Sequence, residues 1–175
     1  MVGEGIPMFI KVIKHQDLNT EDLKDIISIK KQHWNYGFES QKKWIEDQFS
    51  DDDLHILATS DNGIESYVGI NELWCIIDNV KYTFWGIGNV CVDKKLQGCG
   101  IGSKVIDFVN QYILLNNKSG ILLCNNQLTT FYLHSNWNSI EYQTAFVEEE
   151  PFIQNIMTYN FDLHKAKTIF LEKQF

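Results

Sequence analysis

Three glycines at alternate positions, in Gln97-Gly98-Cys99-Gly100-Ile101-Gly102, separate an apolar run from an amphipathic one. No other segment constrains the chain as strongly. Glycine reaches backbone angles that a Cβ forbids, and it lets the chain come close to a ligand. Where such a turn opens a helix, the first amides have no intrahelical acceptor and present an anion site. The segment therefore predicts a phosphate cradle, with a plain glycine-rich turn as the alternative.

Two nucleotide-binding patterns are excluded by spacing. A dinucleotide fingerprint needs G-x-G-x-x-G; Gly98 and Gly100 fit, but Ser103 occupies the third glycine position. A Walker A loop ends in Gly-Lys-Ser/Thr, whereas this chain has Gly102-Ser103-Lys104. What remains is Q-x-x-G-x-G, carried by Gln97, Gly100 and Gly102.

The flanks give the loop its setting. Upstream, Phe84–Val92 is apolar and rich in strand formers, as a buried strand is. Downstream, Ile101, Val105, Ile106, Val109, Tyr112 and Ile113 recur at helical spacing. A second apolar strand is expected at Ile121–Asn125. A short helix, Thr129–His134, follows it and stops at Asn136-Trp137. Asn136 can take the left-handed conformation that ends a helix.

The remaining elements follow from local signals. A strand is expected at Phe9–Lys14, then a helix capped by Asn19 or Thr20 and carrying Leu23, Ile26, Ile27 and Ile29. A second helix is expected at Gln41–Phe49 and a strand at Leu54–Thr59. Asp61-Asn62-Gly63 makes a turn into a strand from Ile64 to Ile77, broken near Gly69. Asp78-Asn79 makes a hairpin to the loop strand, and Glu141–Val147 and Asn155–Asp162 are the last predicted strands. Pro7 and Pro151 fall outside the core elements of this reading.

A chain of 175 residues, 44% hydrophobic, suits one domain over 1–175, with 1–7 as a flexible lead and 163–175 as a tail that packs as a short helix or a strand. The sequence lacks a transmembrane-length apolar run and the order of a signal peptide. Cys75, Cys91, Cys99 and Cys124 lack Cys-x-x-Cys spacing, so reduced thiols in a cytoplasmic protein are expected, and no metal. Net charge is −8, from 15 basic and 23 acidic residues. That disfavours nucleic acid, whose phosphates need a basic face, and favours cationic ligands. Neither a nucleic-acid nor a membrane partner is expected, and a homodimer is left open. The acidic runs 51–53 and 148–150 are read as solvated turns.

The loop at Gln97–Gly102, the apolar strand before it and the aromatic-Tyr helix after it resemble the GNAT superfamily of N-acyltransferases. The specific motifs lie in residues 88–137, and the element order agrees over nearly the whole chain. The resemblance implies an α+β fold, with a mixed, mostly antiparallel sheet flanked by helices. It also implies that the loop strand and the strand at Ile121–Asn125 are parallel neighbours that splay apart. Gly86, Gly88 and Asn89 suit a local bulge there.

Acetyl-CoA, and hence coenzyme A, is the implied cofactor. Its pyrophosphate would rest on the loop Gln97, Gly98, Cys99, Gly100, Ile101, Gly102 and Ser103. Val90 and Val92 would offer backbone groups to the pantetheine arm, and Asn125 would contact that arm. The Cys91 amide would stabilise the developing oxyanion. Tyr132 would protonate the departing thiolate, with Phe131 beside it packing into the core. The family's loop-strand base is absent. Distant similarity to aminoglycoside 2'-N-acetyltransferases aligns their glutamate with Gly88. Glu72, on the preceding strand, is the nearest carboxylate and is taken as base and acceptor contact, ahead of His33, His55 and His134. Trp34, Tyr36 and Phe38, with Trp44, form an aromatic region suited to an acceptor pocket or to helix packing.

The expected function is acetyl transfer to a primary amine of a small molecule, an aminoglycoside or amino sugar, by direct attack in a ternary complex. The alternatives are an acyl-CoA-binding regulatory protein with weak or no catalysis, and a protein or peptide N-acetyltransferase.

Overall fold

The structure, a computed structural model, describes residues 8–175; the expected lead at 1–7, with Pro7, lies outside them. Among the described residues, ten strands and four α-helices make an α+β fold with a mixed sheet. The described chain divides into two compact units. One comprises the residues up to Gly69 with Asn89–Val105, the other Ile70–Gly88 with Ile106–Phe175.

The first unit contains β1 (Phe9–Lys14), α1 (Thr20–Lys30), α2 (Phe38–Gln48) and β2 (Leu54–Ser60). It also takes the start of β3 (Gly63–Ile77), the end of β4 (Val80–Val92) and the opening of α3 (Ile101–Leu115). β1 runs antiparallel to β2, from Phe9 opposite Thr59 to Lys14 opposite Leu54, and β2 also pairs with β3. Asn19 is the cap of α1: its Oδ1 accepts from the Asp22 amide at 2.9 Å, and its Nδ2 donates to Asp22 Oδ2 at 2.7 Å. Lys11 closes on the same carboxylate at 2.7 Å. Ile26, Ile27 and Ile29 then join Ile13, Ile45, Phe49, Leu57, Tyr67 and Cys91 in one core.

The second unit adds β5 (Gly120–Cys124), α4 (Asn126–His134), β6 (Asn138–Ser139), β7 (Glu141–Val147), β8 (Glu150–Phe152), β9 (Asn155–Tyr159) and β10 (Lys165–Leu171). Its strand order is β6-β9-β5-β4-β3-β10-β7-β8. β4 and β5 are parallel, and their ladder holds two pairs, Trp85 with Gly120 and Gly86 with Ile121. β5 continues to Cys124 along its other neighbour, β9. The expected splay of the parallel pair is therefore present.

Several boundaries differ from expectation. α2 begins at Phe38 on an N-cap Gly37 that offers no side-chain cap, so no local signal marks its start. β3 is unbroken through Gly69, where a Cβ would come within 2.7 Å of the Phe49 ring. Of the two alternatives for the tail, the strand is the one present: it forms β10, parallel to β7 and antiparallel to β3. Pro151 lies in β8, a short strand at one end of that order. Its missing N–H is tolerated at such an edge. The Asp78-Asn79 hairpin and the Asn136 helix stop take left-handed φ of 47°, 69° and 62°.

Trp137 is fully buried, and its Nε1 donates to Asn110 Oδ1 at 2.9 Å while Asn110 Nδ2 donates to the Ser135 carbonyl at 2.8 Å. Asn110→Ala strands both groups. It should destabilise the protein by about 2–4 kcal/mol, since an orphaned buried polar group costs roughly 1–3 kcal/mol. Urea denaturation checks this, and an unchanged midpoint would contradict it.

Candidate active site

In the first unit, the end of α1 holds the end of β4. Lys30 lies on the apolar side of α1 and is 2% exposed. Its Nζ donates to Asn89 Oδ1 at 3.0 Å and sits 4.0 Å from the centroid of the Trp44 ring and 5.8 Å from that of Trp34. Burial pushes the Lys30 ammonium down to about 8, because the charged form loses water. Two and three residues on, Gln32 and His33 continue the grip. His33 Nε2 donates to the Val92 carbonyl at 2.7 Å. Gln32 Nε2 donates to Asp93 Oδ2, and the Lys94 amide donates to Gln32 Oε1, both at 2.9 Å. On β4, Asn89 takes the left-handed conformation, with φ 54°; Gly86 and Gly88 are outside that region.

This grip fixes where β4 ends and the glycine loop begins. Gly98 and Gly100 have φ 78° and 79°, which explains glycine at both positions. A Cβ at either would meet no heavy atom within 4 Å, so packing does not require them. Lys104 N donates back to the Gly100 carbonyl, which starts α3. The amides of Gly100, Ile101, Gly102 and Ser103 therefore have no intrahelical acceptor. Gln97, Gly98, Cys99 and Gly100 are exposed. Open glycines, amides without intrahelical acceptors and the positive end of the helix fit the diphosphate of coenzyme A.

Of the strand residues expected to meet the pantetheine arm, Val90 and Val92 are half-buried. Val92 already accepts from His33, and the Cys91 carbonyl accepts from Ser66 Oγ at 2.8 Å. The Cys91 thiol is buried and pushed up to about 12, chiefly by desolvation, and the charge of Lys30 only partly offsets this. It is a neutral thiol at physiological pH and no nucleophile. Trp34, Tyr36 and Phe38 occupy the connection between α1 and α2 and the first turn of α2. Their exposures of 37%, 64% and 36% make them surface aromatics. Trp44 instead packs against the first unit's core.

The second unit holds the other expected site residues. Tyr132 is buried and Phe131 only half-buried, the reverse of expectation. The Tyr132 ring meets Phe131 and Trp137 edge-on, with centroids 5.0 and 6.2 Å away. The helix stop at Asn136 turns the chain so that Trp137 supports this tyrosine. Burial raises the Tyr132 hydroxyl, with a smaller contribution from Cys124, so it stays protonated and can donate. Asn125 is exposed and caps α4, its Oδ1 accepting from the amides of Gln127 and Leu128. Glu72 is half exposed and ion-paired with Lys118 at 2.6 Å. Gly88 packs against the tail: a Cβ there would lie 2.4 Å from the Phe175 carbonyl carbon. A glutamate side chain does not fit at this point.

The alternative bases are also placed. His134 is exposed on α4. His55 is fully buried between His15 and Tyr67, with Nε2 3.0 Å from His15 Nδ1 and Nδ1 2.8 Å from Tyr67 Oη. Desolvation, then the charges of His15 and Lys30, lower it to about 3. Sequence reasoning passed over Lys30, Gln32 and the side chain of Asn89 as site residues. The available signal was a cation placed three and four residues after Ile27 and Ile26, on an otherwise apolar helix face.

Comparison with known proteins identifies the family and the fold. The profile of the Acetyltransferase (GNAT) family matches residues 20–134, well over half of the sequence. The chain belongs to the GNAT acetyltransferase family. A search of curated proteins returned no match. Among solved structures, Escherichia coli ElaA superposes with a TM-score of 0.66 at 17% identity, covering 88% of this chain and all of that one. An aminoglycoside 6'-N-acetyltransferase complexed with coenzyme A gives 0.62 at 10% identity, covering 85% of this chain and 95% of that one. The ribosomal-protein-S18-alanine N-acetyltransferase of Escherichia coli gives 0.59 at 12% identity, covering 86% and 93%. At these identities the likeness is one of fold. Among the described residues, no helix is long and apolar enough to cross a membrane, and no three His, Cys, Asp or Glu residues gather as a metal site.

Two outcomes follow. His55 is neutral when folded and titrates near its ordinary value of about 6.5 when unfolded. Its depressed value makes its contribution complete above pH ~6.5 and lost progressively as pH falls toward about 3. Stability measured by urea should therefore decline between pH 6.5 and 5, and less steeply in His55→Gln; parallel slopes would contradict this. Gly88→Ala should displace the tail and cost about 1–3 kcal/mol, the usual range for overpacking. Thermal melting and faster proteolysis of the tail check it; a wild-type melt and cleavage rate would contradict it.

Proposed function

We propose that this protein transfers an acetyl group from acetyl-CoA to a primary amine of a small molecule, such as an aminoglycoside or amino sugar. The observation that carries the reading is the open, left-handed glycine loop at Gly98 and Gly100, which leads directly into α3 from a firmly held β4. Bound acetyl-CoA supplies an activated acyl carbon. The loop amides and Gln97 hold the phosphates, and backbone groups of Val90 and Val92 align the pantetheine arm. The amine attacks the thioester directly: a C–N bond forms, the C–S bond breaks, and the acceptor nitrogen gives up its proton to water, or to Glu72 once its pair with Lys118 opens. The Cys91 amide stabilises the charge that develops on the acyl oxygen. Tyr132, kept protonated by burial, donates to the departing thiolate.

The net charge of −8 supports a cationic acceptor. The exposed aromatics Trp34, Tyr36 and Phe38 give such a molecule apolar surface. The aminoglycoside and ribosomal-protein acetyltransferases that share the fold also act on amines.

A second reading, acyl-CoA binding with weak catalysis, is favoured by one observation. Gly88 is covered by the tail, and the nearest expected carboxylate, Glu72, is paired with Lys118. Release of proton from the acceptor then falls to water or to Glu72 after that pair opens.

Calorimetry with acetyl-CoA, followed by thiol release over a panel of amines, separates the readings. Binding with turnover on an amine supports the transferase. Binding with no turnover supports the second reading, and no binding ends both. Gly100→Asp should abolish binding, because it sets a carboxylate against phosphate. Tyr132→Phe should lower turnover by about 10²-fold or more, the range of general acid catalysis, with acetyl-CoA affinity nearly kept. An unchanged rate removes Tyr132 from the mechanism.

A further inference from the structure

We propose that the Asn89 side chain is a catalytic residue of this transfer: its Nδ2 donates a hydrogen bond to the acyl carbonyl oxygen, and Lys30 is the positioning residue that aims it. The inference rests on the acyl-CoA reading above and adds a side-chain donor to the backbone amide already assigned.

The orientation of the carboxamide is determined by chemistry. An ammonium has donors and no acceptor. With Lys30 Nζ 3.0 Å from the Asn89 side chain, the oxygen must face the lysine and the NH2 group must face away. That NH2 group is buried, yet it has no hydrogen-bond partner among the described residues. Buried donors are nearly always satisfied, and one that is not needs a reason. The Asn89 backbone is left-handed at φ 54°, on the half-buried stretch Gly88–Val90 that precedes Cys91. A purely conformational role would be served by glycine, which takes such angles without strain. It would not call for a buried cation on the carboxamide.

Lys30 does more than orient. Its charge sits on the oxygen side and draws electron density from the amide, which strengthens the opposite N–H as a donor. Trp44 and Trp34 hold the ammonium from other sides, and burial removes competing water. A fixed donor in a dry setting suits an oxygen that gains charge during reaction. As the amine attacks, the carbonyl electron pair moves onto that oxygen, and it returns when the C–S bond breaks. Asn89 gains and loses no proton in either step.

The test uses acetyl-CoA labelled with 13C at the thioester carbonyl, bound to the full-length protein and read by difference infrared spectroscopy. Asn89→Asp keeps an oxygen for Lys30 and tolerates the left-handed backbone, but has no N–H. Asn89→Gly keeps the backbone conformation and deletes the side chain, so it serves if the aspartate variant folds poorly. The wild-type carbonyl band should lie below that of free acetyl-CoA, and both variants should return it toward the free value. Lys30→Met should weaken the shift and Lys30→Arg should restore it. With an amine that is turned over, kcat of both Asn89 variants should fall by about 10²-fold, as when an oxyanion donor is lost, with KM for acetyl-CoA little changed. A carbonyl band identical in wild type and in both Asn89 variants overturns the proposal and leaves the acyl-CoA reading intact. Failure of the wild type to bind acetyl-CoA overturns that reading itself.

Discussion

The grip of α1 on the end of β4 is the constraint on which the candidate site depends. Lys30, Gln32 and His33 reach Asn89, the Asp93–Lys94 turn and the Val92 carbonyl in turn. A strand end would otherwise fray, and the glycine loop that follows has little packing of its own. An anion cradle works only if its amides are already aimed, because ordering them at binding costs conformational entropy. The cost of the grip is a buried ammonium. Two indole rings and one carboxamide oxygen offset it, and the lowered pKa shows that the offset is incomplete.

The elements legible in the sequence obey local rules. The Asn19 cap, the Asp78-Asn79 hairpin, the Asn136 stop and the glycine loop each need a particular residue type for a backbone or side-chain reason that neighbours cannot change. The splayed parallel pair was legible only through the family resemblance. What the sequence hid was decided at long range. β10 takes its place from pairing with β7 and β3, far away in the chain. The start of α2 at Phe38 has no cap to announce it. The exchange of roles between Phe131 and Tyr132 depends on Trp137, whose position is set by Asn110.

The absent loop-strand base has a structural counterpart. Gly88 is small because the backbone of Phe175 lies against it, and Gly86 likewise has Phe175 and Leu73 where a Cβ would be. The tail has taken the volume of the missing side chain. A glutamate has no room at Gly88, whereas the open glycine loop, the Asn125 cap and a protonated Tyr132 are all present.

The central claim is that the loop amides hold the diphosphate of coenzyme A. Titrating 15N-labelled protein with coenzyme A and following its backbone amide resonances tests this directly. The account predicts that the largest shifts fall on Gly98 to Ser103 and saturate together. Saturable binding that leaves those amides unmoved would contradict it.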